Sequence, residues 1–289
     1  MLPDHRFGLN RPPASCTLTP FPEQARIPRV LHQTYRSLDL PAELSGNIAR
    51  LRADNPEWDY RFYDDADIER FILAEYGERV MSYYHRISPA YPAARADFFR
   101  YLLIYRHGGA YLDIKSSLSR PLREILREDD RYLLAHWPEA DPRFAGWGHY
   151  PELQAVGGRE FQQWNIIAAA GHPFLYAVIC QVMHNIDTYL PELHGVGSRA
   201  ILRLTGPVAY TLSIHRMLDR GMHRVVGNHE AAGLIYSVYD SPISHRGTMA
   251  GHYTTVSEPL VLLHGRQKLI STAMRLGRRA ARGLVRSLG

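Results

Sequence analysis

Residues 93–115 carry the densest chemistry in the chain. Asp97 and Arg100 stand three apart in Ala93-Ala-Arg-Ala-Asp97-Phe-Phe-Arg100-Tyr101, and His107-Gly108-Gly109-Ala-Tyr111-Leu-Asp113-Ile-Lys115 follows. On a helix, positions i and i+3 share a face, so the carboxylate and the guanidinium point the same way. Two glycines then stop the helix and allow close backbone approach. A strand from Ala110 places Asp113 and Lys115 on one side, because side chains alternate along a strand, and delivers them to its polar end. Ligands of open α/β sheets sit beyond that end, so the group suits recognition of a polar, charged ligand. Taken alone, the same residues also fit a surface ion pair and a plain helix stop. Other chemistries lack their motifs. The chain has no His-Glu-x-x-His, Cys-x-x-Cys, Gly-x-Ser-x-Gly or Walker loop, which counts against zinc enzymes, serine hydrolases and P-loop kinases.

The flanking pattern supplies the elements that must hold these residues. Arg29–Tyr35 is a short apolar run after Pro28 and reads as a first buried strand. Leu44, Ile48 and Leu51 recur at helical spacing between Pro41 and Ala53, and Trp58–Tyr63 alternates like a half-buried strand. Asp64 or Asp65 caps a helix with an Ile68, Phe71, Ile72 and Tyr76 stripe, expected to end at Gly77. The helix over 93–106 is expected to bury Phe98, Tyr101, Leu102 and Tyr105, with Asp97, Arg100 and Ile104 on another face. Further on, 164–170 reads as a strand, 173–186 and 206–218 as helices, and 234–239 and 259–263 as late strands. The Gly-, Pro- and aromatic-rich stretch 137–158 reads as a long loop over a site. Strands alternating with helices imply an α/β domain with a mostly parallel sheet.

In this order the motifs resemble glycosyltransferase family 32, the sugar transferases with a D-x-D motif and a GT-A nucleotide-sugar-binding fold. The resemblance spans most of residues 27–264 and rests on Ile27-Pro-Arg-Val-Leu-His-Gln-Thr-Tyr35, Asn55-Pro-Glu-Trp-Asp-Tyr60, Asp97-x-x-Arg100-Tyr101, Gly108-Gly-Ala-Tyr-Leu-Asp113, Gln163-Trp-Asn165 and Thr205-Gly-Pro207. It implies a GT-A fold, a mostly parallel sheet flanked by helices, and hexose transfer from a UDP- or GDP-sugar to a glycan or glycolipid acceptor in surface-polysaccharide assembly, with retention of configuration. It implies donor contacts from Tyr35, as base-stacking aromatic, and from Asp97, Arg100, Tyr111, His32, Gln33, Gly108, Gly109 and Asn165, with Asp113 at the phosphates. Two other classes remain open: a nucleotide- or carbohydrate-binding relative without turnover, and a nucleotidyltransferase, which would need paired metal carboxylates.

The chain departs from the family at Lys115, where the pattern usually has a second Asp that binds Mn2+ or Mg2+. An ammonium cannot ligate a metal. Lys115 is therefore expected to share catalysis with Asp113 by placing its own positive charge at the departing diphosphate. Asp113 and His264 are left as candidate metal ligands. Only Lys115 and Lys268 among 34 basic residues are lysines, so an ammonium at this place stands out against an arginine-rich background.

Composition bounds the rest. The 289 residues, 45% hydrophobic and 22% charged, suit one soluble domain over 27–265, after an irregular lead-in at 1–26 and before a tail at 266–289. The net charge of +5 is unevenly spread: the tail holds seven basic residues and no acid, leaving 27 basic against 29 acidic residues elsewhere. That balance counts against nucleic-acid binding by the body. The tail interleaves Leu269, Ile270, Met274, Leu276, Leu284, Val285 and Leu288 with its bases, which suits a helix lying on an anionic membrane surface and equally a solvated end. The N-terminus shows no secretory signal, and Cys16 and Cys180 are expected as free buried thiols, both consistent with a cytoplasmic protein peripheral on the inner face of the membrane.

Overall fold

A computed structural model of the chain describes residues 9–239 and 256–287; residues 1–8 of the lead-in and 288–289 of the tail lie outside it. The apolar run after Pro28 forms β1 (Val30–Thr34), and the alternating aromatic stretch forms β2 (Asp59–Tyr63), parallel to it with Val30 opposite Asp59. On the other side of β1 lies β3 (Gly109–Leu112), also parallel, with His32 opposite Tyr111. The remaining strands are β4 (Ser117–Leu118), β5 (Tyr132–Ala135), β6 (Asn165–Ala168), β7 (Arg224–Val226) and β8 (Leu234–Ile235). The main sheet runs β2-β1-β3-β6-β5-β7. It is parallel except where β6 runs against β3 and β5, while β4 and β8 form a separate antiparallel pair.

Alternation sorts the strands' side chains into two cores. Tyr111, Tyr132, Leu134 and Ile166 pack on one face, and Ala110, Leu112, Leu133 and Ile167 on the other. The first face is covered by α2 (Asp65–Arg86), α3 (Pro92–His107), α5 (Pro173–Thr188), α7 (Gly197–Leu204) and α8 (Pro207–His215). The second lies beneath α1 (Ala42–Asp54), α4 (Leu122–Ile125) and the tryptophans of the 137–164 stretch. Two more helices follow outside this frame, α6 (Pro191–His194) and α9 (Gly265–Ser287).

Four expectations are corrected. Gly77 does not end its helix: at φ 73° it kinks α2, which resumes and buries Val80, Met81 and Tyr84 before stopping at Arg86. The α3 helix buries more than the expected Phe98, Tyr101, Leu102 and Tyr105: every residue from Asp97 to Tyr105 is buried, with the sheet, α2 and α5 packed on the helix and Asp97 and Arg100 at the cavity. Residues 259–263 form no strand of the sheet; Val261 makes an isolated bridge to Ile87, crossing the end of α2. Cys16 and Cys180 are joined as a disulfide rather than free, tying the N-terminal segment to α5. That segment is also held by Asn10 bonds to Asn185 and by the Tyr105 hydroxyl at Phe21 N.

Candidate functional site

The C-terminal end of β3 opens into a cavity of about 1030 Å³. Its floor is an ion network built on α3. The Arg100 guanidinium lies 3.4 Å from Asp97 Oδ1 and 3.1 Å from Asp113 Oδ1, and all three residues line the cavity. Arg100 is 5% exposed and Asp97 3%, so this is no surface ion pair. Gln163 locks the group: its backbone and side-chain oxygens accept from Arg100 Nη1, and its amide donates to Asp97 Oδ1 at 3.1 Å. Thr205, at the end of α7, donates to the other Asp97 oxygen at 2.9 Å. Burial raises the Asp97 carboxyl above its usual range, with Arg100, Thr205 and Gln163 pulling it back. For Arg100 burial works against the charge, yet Asp113 and Tyr111 outweigh it and hold the guanidinium protonated. The Tyr111 ring lies under the Arg100 guanidinium at 4.9 Å, and its hydroxyl donates to Asp113 at 3.3 Å.

Lys115 stands beyond Asp113 against a wall of aromatic rings. It is 7% exposed, donates to the Tyr236 hydroxyl at 2.8 Å and sits 4.0 Å from that ring's centre. Tyr236 is ringed by Trp137 at 5.0 Å, Trp164 at 5.5 Å and Trp147 at 5.7 Å. The 137–158 stretch supplies part of this wall, as its composition led us to expect. Behind it, Glu160 accepts from the Trp137 indole. Burial pushes the Glu160 carboxyl up to about 7, offset in part by Trp137 and Tyr150.

Six of the residues singled out from sequence line the cavity together: Tyr35, Asp97, Arg100, Tyr111, Asp113 and Lys115. Six do not, and their places explain why. His32 is fully buried between the Tyr63 hydroxyl and the Gly108 carbonyl, and burial pushes it down to about 3, so it stays neutral. Gln33 donates to the Asp113 carbonyl and accepts from Tyr60, supporting the strand end from behind. Gly108 and Gly109 serve packing: a Cβ on Gly108 would meet Ala170 N at 2.7 Å, and one on Gly109, at φ 100°, would strike the Val30 carbonyl. Asn165 is buried in β6 next to Gln162. His264 is exposed where α9 begins.

The sequence reading gave no role to Gln163 and Thr205, although both belong to motifs of the resemblance. Tyr236 and Glu160 carried no signal beyond their types. The donor set does not fit a divalent ion. Asp113 is already engaged by Arg100 and Tyr111, its partner in the motif is an ammonium, and no group of three His, Cys, Asp or Glu side chains suits a metal among the described residues.

Residues 41–132 match the family model described as "Glycosyltransferase sugar-binding region containing DXD motif". The chain is 27% identical over 213 residues to an initiation-specific alpha-1,6-mannosyltransferase of Schizosaccharomyces pombe, covering 68% of this chain and 50% of that one. It is 26% identical to inositol phosphoceramide mannosyltransferase 3 of the same organism, covering 64% and 44%. The chain thus spans about half the length of the curated relatives it matches. Among solved structures it resembles the UDP-bound glycosyltransferase domain of the YGT toxin, with a TM-score of 0.51 at 9% identity over 74% of this chain and 82% of that one. At that identity the likeness concerns the fold, which is the α/β, GT-A type.

Proposed function

From the DXD-type glycosyltransferase sugar-binding region carried at residues 41–132, we propose that the chain transfers a hexose from a UDP- or GDP-sugar to a hydroxyl of a glycan or glycolipid acceptor, with retention of configuration. The observation that carries the reading is Arg100 held between Asp97 and Asp113 on the cavity floor, with Lys115 in the turn that follows β3 and lining the same cavity. In the reaction the bond from the anomeric carbon to the diphosphate breaks, a bond to the acceptor oxygen forms, and the acceptor's proton leaves with the diphosphate. Asp97 and Arg100 orient the donor. Tyr35, on the cavity rim, stacks on the base. The ammonium of Lys115 meets the negative charge that develops on the leaving group, in a site sheltered from water. The mannosyltransferase relatives favour a mannosyl donor, hence a GDP-sugar first. The test is a thermal-shift screen of UDP- and GDP-sugars with and without Mn2+, followed by assay of nucleoside diphosphate release with a glycan acceptor. Binding without release would reassign the chain to a sugar-nucleotide-binding role, and no binding to any donor would remove the reading.

The tail belongs to the same proposal as a membrane anchor. Its helix α9 is docked through Gln267 to the Ile186 and Tyr189 carbonyls, and through Ser271 to Glu192. Leu269, Ile270 and Leu276 stay exposed, and the tail's basic residues have no acid among them. This supports an anionic lipid surface as partner. Sedimentation with phosphatidylglycerol-containing vesicles tests it; binding that survives Leu269→Asp with Leu276→Asp would refute it. The proposed location is the cytoplasmic face of that membrane, a reading the Cys16–Cys180 bridge counts against because disulfides are rare in reducing compartments. Thiol labelling in cells tests this, because a protected Cys16–Cys180 pair would instead assign an oxidising compartment.

A further inference from the structure

The aromatic wall of the cavity, next to the ion network, contains a second polar feature. Among the described residues, few buried side-chain oxygens and nitrogens lack a hydrogen-bond partner, and two of those, Glu160 Oε2 and Trp164 Nε1, belong to residues that line this cavity. One is an acceptor and the other a donor. Buried polar atoms are almost always satisfied, so an unmet pair beside a cleft points to a ligand group that meets it. Both residues are anchored. Glu160 is 5% exposed, with its other oxygen holding the Trp137 indole and Tyr150 also acting on its carboxylate; Trp164 is 4% exposed, and its carbonyl accepts from Asp113 N at 2.8 Å. Aromatic rings adjoin both residues: Trp137, which bonds Glu160, and Trp164 pack edge-on against Tyr236. Gly148 makes this approach possible, since a Cβ there would meet Trp137 Cδ1 at 2.7 Å and Glu160 Cγ at 2.9 Å.

We infer that Glu160 and Trp164 form a hydroxyl-reading subsite for a pyranose, in which sugar hydroxyls donate to Glu160 Oε2 and accept from Trp164 Nε1 while the ring's C–H face rests on the surrounding aromatics. A hydroxyl both donates and accepts, which suits this pair better than a phosphate, which only accepts. Glu160 holds the aromatic wall in place through Trp137 and selects the sugar through its second oxygen. A site built to bond a hydroxyl rejects the analogue that lacks it more strongly than an apolar pocket can, so this is where selectivity among hexoses lies. The inference rests on the donor-site reading, and the sugar it holds is the hexose of the donor or that of the acceptor.

Calorimetric titration of the full chain separates the cases. The probes are GDP, GDP-mannose, GDP-4-deoxymannose and methyl α-mannoside, with the corresponding UDP compounds if the screen selects UDP. Glu160→Gln keeps an oxygen for Trp137 but also removes the charge, and Trp164→Phe keeps the ring packing, so binding of the free nucleoside diphosphate serves as the control for damage beyond the proposed contact. If the subsite holds the donor hexose, each variant weakens the sugar nucleotide at least tenfold and leaves the nucleoside diphosphate within twofold. If it holds the acceptor hexose, the same loss falls on methyl α-mannoside. Unchanged affinity for every sugar, or an equal loss for sugar nucleotide and free diphosphate, overturns the inference while leaving the donor site standing. Absence of nucleotide binding by the unaltered chain overturns both.

Discussion

Thr205 Oγ1 donates to Asp97 Oδ2 at 2.9 Å across 108 residues of sequence. The bond joins the end of α7 to the middle of α3, so the helix that carries the candidate donor carboxylate is set by a residue of another element. Its neighbour in the same task is Gln163, which touches Asp97 and Arg100 at once. Replacing Thr205 by Val keeps the shape and removes the hydroxyl, leaving a buried carboxylate short of one partner. The expected loss is about 1–3 kcal/mol of stability, together with weaker donor binding. Thermal denaturation with and without the nucleotide sugar reads both, and a variant with unchanged Tm and affinity would show that Gln163 alone positions Asp97.

Lys115 gives a sharper kinetic expectation. If its ammonium meets charge on the departing diphosphate, Lys115→Ala lowers kcat about 100-fold or more, as loss of an oxyanion donor does, and changes donor affinity less. EDTA leaves the unaltered enzyme active. The contrary pattern, abolition by EDTA with rescue by Mn2+ and an unaffected Lys115→Ala, would assign the charge to a metal instead.

What could be read from sequence follows the range over which periodicity acts. Asp97 and Arg100 share a helical face as their spacing predicts, but β3 stops at Leu112 and Asp113 and Lys115 lie in the turn after it, so strand alternation does not set their directions. The bonds that make the site are not local: Gln163 to Asp97 spans 66 residues and Lys115 to Tyr236 spans 121. Nothing in a one-dimensional pattern pairs such positions. Motif membership does not separate residues that line the cavity from those that lie behind it. In this chain His32, Gly108 and Gly109 sit where β1, β3 and the strand entry pack closely, and Gln33 props the Asp113 carbonyl. The α3 face that carries Asp97 and Arg100 meets the cavity, whereas Ile104, expected on the same face, is fully buried in the core.

The Cys16–Cys180 bridge closes a separation of 164 residues and restrains the N-terminal segment along α5. Loops of that size contribute about 3–5 kcal/mol when cross-linked. Cys16→Ser with Cys180→Ser is therefore expected to lower Tm by about 5–8 °C, and dithiothreitol to do the same to the unaltered protein. Donor affinity should change little, since neither cysteine lines the cavity. A Tm insensitive to reductant would mean that the restraint comes from the Asn10, Phe21 and Gln24 hydrogen bonds rather than from the bridge.

Glu160 makes stability depend on pH in the less common direction. Its carboxyl is raised from 4.5 to about 7, chiefly by burial. The folded state therefore binds a proton that the unfolded chain has already released between those values. The contribution from this group is fully present below about pH 4.5 and is lost as pH rises through about 7, amounting to about 3 kcal/mol. Glu160→Gln carries no such charge, so its Tm relative to the unaltered protein should rise between pH 5 and pH 8, by about 3–5 °C. Thermal denaturation of both proteins at pH 5, 6.5 and 8 measures the difference directly. A difference that stays constant across the range would mean that Glu160 is ionised throughout, with Trp137 and Tyr150 stabilising the charge enough to cancel the effect of burial.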